Sequence, residues 1–451
     1  MCNLQLIQMM LASPVLLFLI SCGGGDNTTA PPRPTEPTLY RVGGSVAGLE
    51  QGKSLVFLNN GVNALTVGTN GAFALATSQP KGTSYSITVG TQPAGQTCVV
   101  SNGVGTVDGT AVTSVSILCK THFAYVPNSG DHSVSQLKVN ANGTLMLVST
   151  LMMKTEDYPT GFVLDPTGNF AYVGNEGSNT LAQYSVGENG NLSVAPVATI
   201  QGMFSPKNIV FSPSGKTAYV VHNTSIQGAI SQFTVGTNGN LVPHTVPTVT
   251  TGGYANKILF DATGKFAYIA NQNESTVSIY AIEADGNLSF IGLVDEKTFV
   301  IESMALDPAG KNLYIVNGNI NSIVQYSIGT DGRLTFVDRL PETLDMYLTD
   351  IAFHPSGKYA YVTNIAGNGS VREYEIGTNG IIARNLVKIY ATESGPREIT
   401  IDPIGKYIYV ANAYAGSISQ FVIEPNGDLT AMTPAVVKVG ANPRQLFWNF
   451  K

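Results

Sequence analysis

The chain has 451 residues, of which 12% are charged, 48 are glycine and 23 are proline, and its net charge is −6. So low a charge density with so many Gly, Pro and β-branched residues predicts an all-β protein with many tight turns, long enough for two or three domains. No Lys/Arg cluster interrupts the acidic balance, so no nucleic acid is expected as a partner.

In chain order, residues 11–20 (LASPVLLFLI) form an apolar core that is too short to span a bilayer, which needs about 20 apolar residues, but suits a signal peptide. Leu19-Ile20-Ser21-Cys22 follows and resembles the bacterial lipobox, although residues 1–10 carry no Lys or Arg. The resemblance implies that residues 1–21 are a signal peptide and that Cys22 is lipidated, making the membrane a partner. Gly23 after it implies a lipoprotein of the outer membrane, in the cell envelope. Residues 22–39, rich in Pro, Thr and Gly, read as a spacer with no periodicity.

Residues 40–120 alternate in short runs: Val42 to Val46, Ser54 to Leu58, Ala64 to Val67, Ala72 to Ala76, Tyr85 to Val89, Thr97 to Ser101 and Ser114 to Cys119. Turn signals at Asn59-Asn60-Gly61 and Asn70-Gly71 separate them, which predicts a small β-sandwich. It resembles the Ig-like modules of bacterial surface proteins. Cys98 and Cys119 lie in this segment, and in an exported chain they are expected to form a disulfide.

From residue 121 the chain repeats. A Tyr-Val/Ile pair recurs at Tyr125, Tyr172, Tyr219, Tyr268, Tyr314, Tyr361 and Tyr409, at intervals of 46 to 49 residues. Three positions after each stands Asn128, Asn175, His222, Asn271, Asn317, Asn364 or Asn412. An Asn-Gly or Asp-Gly turn follows in every repeat, from Asn142-Gly143 through Asn189-Gly190 and Asn379-Gly380 to Asn426-Gly427. These dipeptides favour type I′ hairpins because both central residues need φ > 0. A second turn, such as Asp165-Pro166 or Asp402-Pro403, precedes most Tyr strands. Four strands in about 47 residues make a propeller blade, and seven repeats predict a seven-bladed β-propeller over residues 121–451. The first repeat lacks its own inner strand. Residues 442–448 (NPRQLFW) match the inner-strand pattern of residues 395–401 (GPREITI), so the strand Pro443 to Trp448 is expected to close the first blade and pair its open edge.

Repeats of the form Pro-Arg-x-apolar-x-apolar-Asp-Pro-x-Gly-Lys-x-x-Tyr-Val-x-Asn, followed by an Asn-Gly-x-Leu hairpin, resemble the lactonase-type seven-bladed propellers. That family includes the propeller-type 6-phosphogluconolactonases and the carboxymuconate cyclases. Those propellers often carry His after the Pro-Arg pair. No repeat of this chain does, and its five histidines, His122, His132, His222, His244 and His354, stand elsewhere.

Inner strands begin and Tyr strands end on one face, the top. Two consecutive positions open each inner strand there. The first set is Thr160, Lys207, Asn256, Glu302, Thr349, Arg397 and Arg444; the second is Gly161, Asn208, Lys257, Ser303, Asp350, Glu398 and Gln445. Tyr158, Tyr254 and Tyr347 stand just ahead of them. Lys207, Lys257, Arg397 and Arg444 suit a carboxylate or phosphate, which Arg can grip with two parallel hydrogen bonds. Glu302, Asp350 or Glu398 suits a general base. Polar strand starts also pair with one another around a wet channel, and the recurring Asn suits loop closure. No metal site and no cofactor are expected, and the protein is expected to be a monomer. The leading functional expectation is an envelope propeller whose top face binds a small anionic ligand, a glycan or a protein. The alternatives are a lactonase-like hydrolase and a structural component of an envelope complex.

Overall fold

A computed structural model describes residues 36–149, 152–187, 190–225, 227–297, 300–341, 347–377 and 380–449. The expected signal peptide, Cys22, most of the spacer, and Asn189 and Asn379 of the hairpin turns lie outside them. Every element of regular structure among the described residues is a strand.

The N-terminal part holds two four-stranded sheets that share one core. Val42, Val46, Val115 and Ile117 come from one sheet and Leu55, Phe57, Tyr85 and Ile87 from the other, all buried as the strand alternation predicts. The seven expected strands are present, and short strands at Leu39–Tyr40, Gln79–Pro80 and Val104–Thr106 join them. Cys98 and Cys119 are direct partners on adjacent antiparallel strands and are joined by a disulfide. Strand Val112–Thr121 runs almost directly into Phe123–Asn128 of the first blade. Polar contacts span the junction. Lys138 Nζ reaches both carboxylate oxygens of Glu50 at 2.7 and 2.8 Å, and Thr121 donates to Glu50 Oε1 at 2.8 Å. His122 Nε2 and Thr97 Oγ1 are 2.7 Å apart.

The rest forms seven antiparallel sheets, one per repeat. Six blades order their four strands as the chain does; the first is completed by Phe447–Trp448, which pairs with Tyr125 and Ala124. This closing strand is shorter than expected. Pro443 bridges Asn128 and Arg444 donates its backbone N–H to Pro127, but Gln445 and Leu446 carry no ladder.

The tyrosines and the hairpin turns, which recur at fixed spacing, are two halves of one device. Tyr125, Tyr219, Tyr268 and Tyr361 donate their hydroxyls to the backbone carbonyls of Gly190, Gly286, Gly332 and Gly427, at 2.6 to 3.0 Å. Tyr172 donates to Gly239 and Tyr314 to Gly380 in the same way. Each glycine belongs to the turn of the following blade, and Tyr409 closes the circle by donating to Gly143 of the first blade at 2.5 Å. These rings are buried, and a buried hydroxyl needs a partner. The turn supplies one because its glycine sits at positive φ. The recurring Asn closes each blade internally, as at Asn128, whose amide donates to Ser133 and Ser135 at 3.1 and 2.9 Å.

Candidate functional site

Neighbouring residues of a regular strand face opposite ways, so two consecutive residues should not both reach the axis. A β-bulge removes this conflict. Between Pro159 and Gly161, Pro206 and Asn208, Ala255 and Lys257, Ile301 and Ser303, Leu348 and Asp350, and Pro396 and Glu398 the register slips by one residue. The extra residue is in each case the first-set residue, and a bulge re-aims its side chain. Just ahead, Tyr158, Ser205 and Tyr254 hold positive φ of 56°, 50° and 54° and accept a backbone N–H from the end of the Tyr strand, at Glu176, Asn223 and Gln272.

These bulges surround an axial cavity of about 200 Å³. Lys207, Lys257, Glu302, Arg397, Glu398 and Arg444 line it, together with Ser303, Asn256, Gln272 and Phe447. Thr160, Asn256 and Thr349 mainly tie blades, donating to the carbonyls of Pro206, Ile301 and Pro396. Four expected residues do not line the cavity. Asp350 lies behind the wall, buried, where Lys257 Nζ approaches Oδ1 at 3.3 Å, Ser303 donates to it at 2.5 Å and the Ile399 N–H donates to Oδ2 at 3.1 Å. With those bonds in place it is a structural anchor rather than a base. Tyr158 and Tyr254 are outside because their positive-φ backbone turns the chain over the rim. Tyr347 acts at one remove, its hydroxyl donating to Glu302 Oε1 at 2.5 Å; burial and Glu302 push that phenol up to about 12.

The remaining charges divide sharply. Lys207 faces Glu176 at 3.4 Å, and its ammonium is pulled below its usual range by burial. Arg444 holds Ser129 Oγ through Nε at 3.1 Å, while burial and neighbouring Arg397 disfavour its charge. Among the described residues, no carboxylate lies within 4 Å of Arg397 or Arg444, and Arg397 Nε is buried without a partner. The Glu398 carboxyl likewise makes no hydrogen bond to a described residue. Burial raises its carboxyl above the usual range and Asp350 adds to this, although Lys257, Arg444 and Lys207 oppose it. Asn256 Oδ1 is a further buried acceptor without a donor. The arrangement offers two guanidinium groups to an anion, one acceptor to a hydroxyl and one carboxyl able to exchange a proton.

Sequence reasoning missed Glu176, Gln272 and Ser129. All three follow the recurring Asn, at the point where the Tyr strand reaches the rim, and that fixed position is the signal that finds them. The five histidines are engaged elsewhere. His222, which takes the Asn slot, contacts Phe204 O and Ser231 Oγ at 2.9 and 2.7 Å, and His132 Nδ1 accepts the Tyr158 N–H at 2.9 Å.

Fold and site together define a seven-bladed propeller with a mixed-charge cavity at its axis. The chain belongs to the family described as "Lactonase, 7-bladed beta-propeller", whose model matches residues 84–196 and 193–450. Among solved structures it is similar to a Bacteroides uniformis protein provisionally described as a 6-phosphogluconolactonase, with 18% identity and a TM-score of 0.63 over 72% of this chain and 99% of that one. It is also similar to the periplasmic gluconolactonase of Pseudomonas aeruginosa, with 16% identity and a TM-score of 0.62 over 73% and 99%. At such identities these likenesses concern the fold. No curated protein matches the sequence.

Proposed function

We propose that the protein is an envelope-anchored lactonase that opens a small hydroxylated lactone in the axial cavity. The observation that carries this reading is the pair Arg397 and Arg444, turned to the cavity without carboxylate partners beside the uncommitted Glu398. In this reaction ionised Glu398 takes a proton from water as the water oxygen bonds to the lactone carbonyl carbon. The developing oxyanion is held by the two guanidinium groups. When the ring C–O bond breaks, Glu398 returns the proton to the departing alkoxide; the new carboxylic acid gives its own proton to solvent, and the product is a hydroxy acid whose carboxylate rests on Arg397 and Arg444. Asn256 Oδ1 accepts a ligand hydroxyl. Membership of the lactonase family supports the reaction class. The lipobox at Cys22 supports anchoring, which is tested by acyl labelling that Cys22→Ala abolishes.

The competing reading is a propeller that binds an anion, glycan or protein without turnover. The histidine missing after each Pro-Arg pair or its equivalent favours it. A panel of lactones incubated with purified protein separates the two. Turnover above the spontaneous rate that Arg397→Ala and Glu398→Gln remove supports the lactonase. Tight binding of the hydroxy acids with no turnover of any lactone sinks it.

A further inference from the structure

Five aromatic side chains stand exposed among the described residues. Phe290 and Phe336 lie on outer strands. The other three, Tyr158, Phe204 and Tyr414, are 45%, 69% and 68% exposed and stand in top-face loops beside the points where inner strands enter. Tyr158 immediately precedes Pro159-Thr160, where an inner strand enters. Phe204 precedes Ser205 and the bulge at Lys207, and its carbonyl is fixed by His222 Nδ1 at 2.9 Å. Tyr414 lies over Gly395, where any Cβ would sit 2.5 Å from the ring, just ahead of Arg397. Single exposed apolar residues need no explanation, but three large rings on one face, each beside an inner-strand entry, do.

The cavity walls below these rings are polar apart from Phe447, so an apolar tail finds little to bury there. A sugar matches both zones. Its hydroxyls and carboxylate suit Asn256 and the two arginines, and the C–H face of a pyranose ring lies well on an aromatic ring. The cavity, about 200 Å³, accommodates one sugar acid; a second residue has to leave towards the face that carries the rings.

Resting on the lactonase reading, we infer that the substrate is the lactone at the oxidised end of an oligosaccharide, with the terminal sugar acid in the cavity and the next sugar on the platform of Tyr158, Phe204 and Tyr414. The reaction class that must supply such a substrate is two-electron oxidation of a reducing-end hemiacetal to its lactone by an external acceptor. The product is an oligosaccharide ending in an aldonic acid.

Calorimetry with three stable product acids tests this without interference from spontaneous hydrolysis. Gluconate probes the cavity alone, and maltobionate and cellobionate add one glucose beyond it. The expected result is at least tenfold tighter binding of one disaccharide acid than of gluconate. Phe204→Ala and Tyr414→Ala remove that gain and leave gluconate binding within twofold. Gluconate binding with no gain for either disaccharide overturns this inference and leaves the lactonase reading standing, as does a gain that survives both substitutions. Failure of all three acids to bind overturns the lactonase reading and this inference with it.

Discussion

Replacing Arg397 with Ala should separate a ligand-binding arginine from a structural one. Its Nε is buried without a partner and no described carboxylate lies within 4 Å, so the substitution leaves no ion unpaired. Folding stability should therefore hold to within about 0.5 kcal/mol, as for a change that breaks no network. A charge-assisted hydrogen bond to a ligand carboxylate contributes about 1.5–3 kcal/mol, so Kd for gluconate should rise roughly 10- to 150-fold. Lys257→Ala is the contrasting control. It leaves buried Asp350 with only Ser303 and the Ile399 N–H, and because Lys257 is itself partly exposed the cost should be about 1–3 kcal/mol. Urea unfolding and calorimetry on the two variants give both numbers. Equal destabilisation by the two substitutions, or an unchanged Kd in Arg397→Ala, would refute the assignment.

Glu398→Gln should lower turnover by about 10²- to 10⁴-fold. Because burial and Asp350 raise this carboxyl in the fold, its stabilising contribution is present at low pH and is lost as pH rises through the raised value; the Gln variant should melt higher than wild type at neutral pH. The wild-type rate should rise with pH through that same value, read from kcat/KM. Tyr409→Phe removes the bond to Gly143 that joins the last blade to the first, and should cost about 1–3 kcal/mol in urea unfolding, since a buried carbonyl loses its donor. At the domain junction, burial holds His122 down from 6.5 to about 4. A depressed imidazole loses its stabilising contribution as pH falls from about 6.5 towards 4, so melting temperature should drop in that window and His122→Gln should flatten the drop.

Blade number was legible because the Tyr strand and its hairpin turn are covalently local and repeat at near-constant spacing. What joins blade to blade was not. The bond from Tyr125 to Gly190 spans 65 residues, and nothing in either residue alone announces it. The mouth of the propeller was legible as two polar positions per repeat, yet the bulge that lets both face inward is a property of pairing, which no single strand displays. For the same reason Asp350 looked like a base. Only the packed neighbours Ser303 and Lys257 reveal it as an anchor, whereas the carboxyl of Glu398, one blade on, makes no described hydrogen bond. Tyr158 and Tyr254 stand just ahead of the lining positions in sequence, but their positive φ carries them over the cavity's edge.

The first blade is made of pieces from opposite ends of the ring, Phe123–Asn128 against Phe447–Trp448, with the Phe123 N–H held by Asn449 Oδ1 at 2.6 Å across 326 residues. During synthesis its older strands must wait with an unpaired edge until six other blades exist. Contacts of such long sequence separation form late and slowly, and waiting edges are where chains stick to one another. The ring therefore acts as its own completeness check. A chain interrupted anywhere before residue 447 has every recurring turn it has reached, but it has no closed circle, and it is left with an open strand edge for other chains or a protease to find.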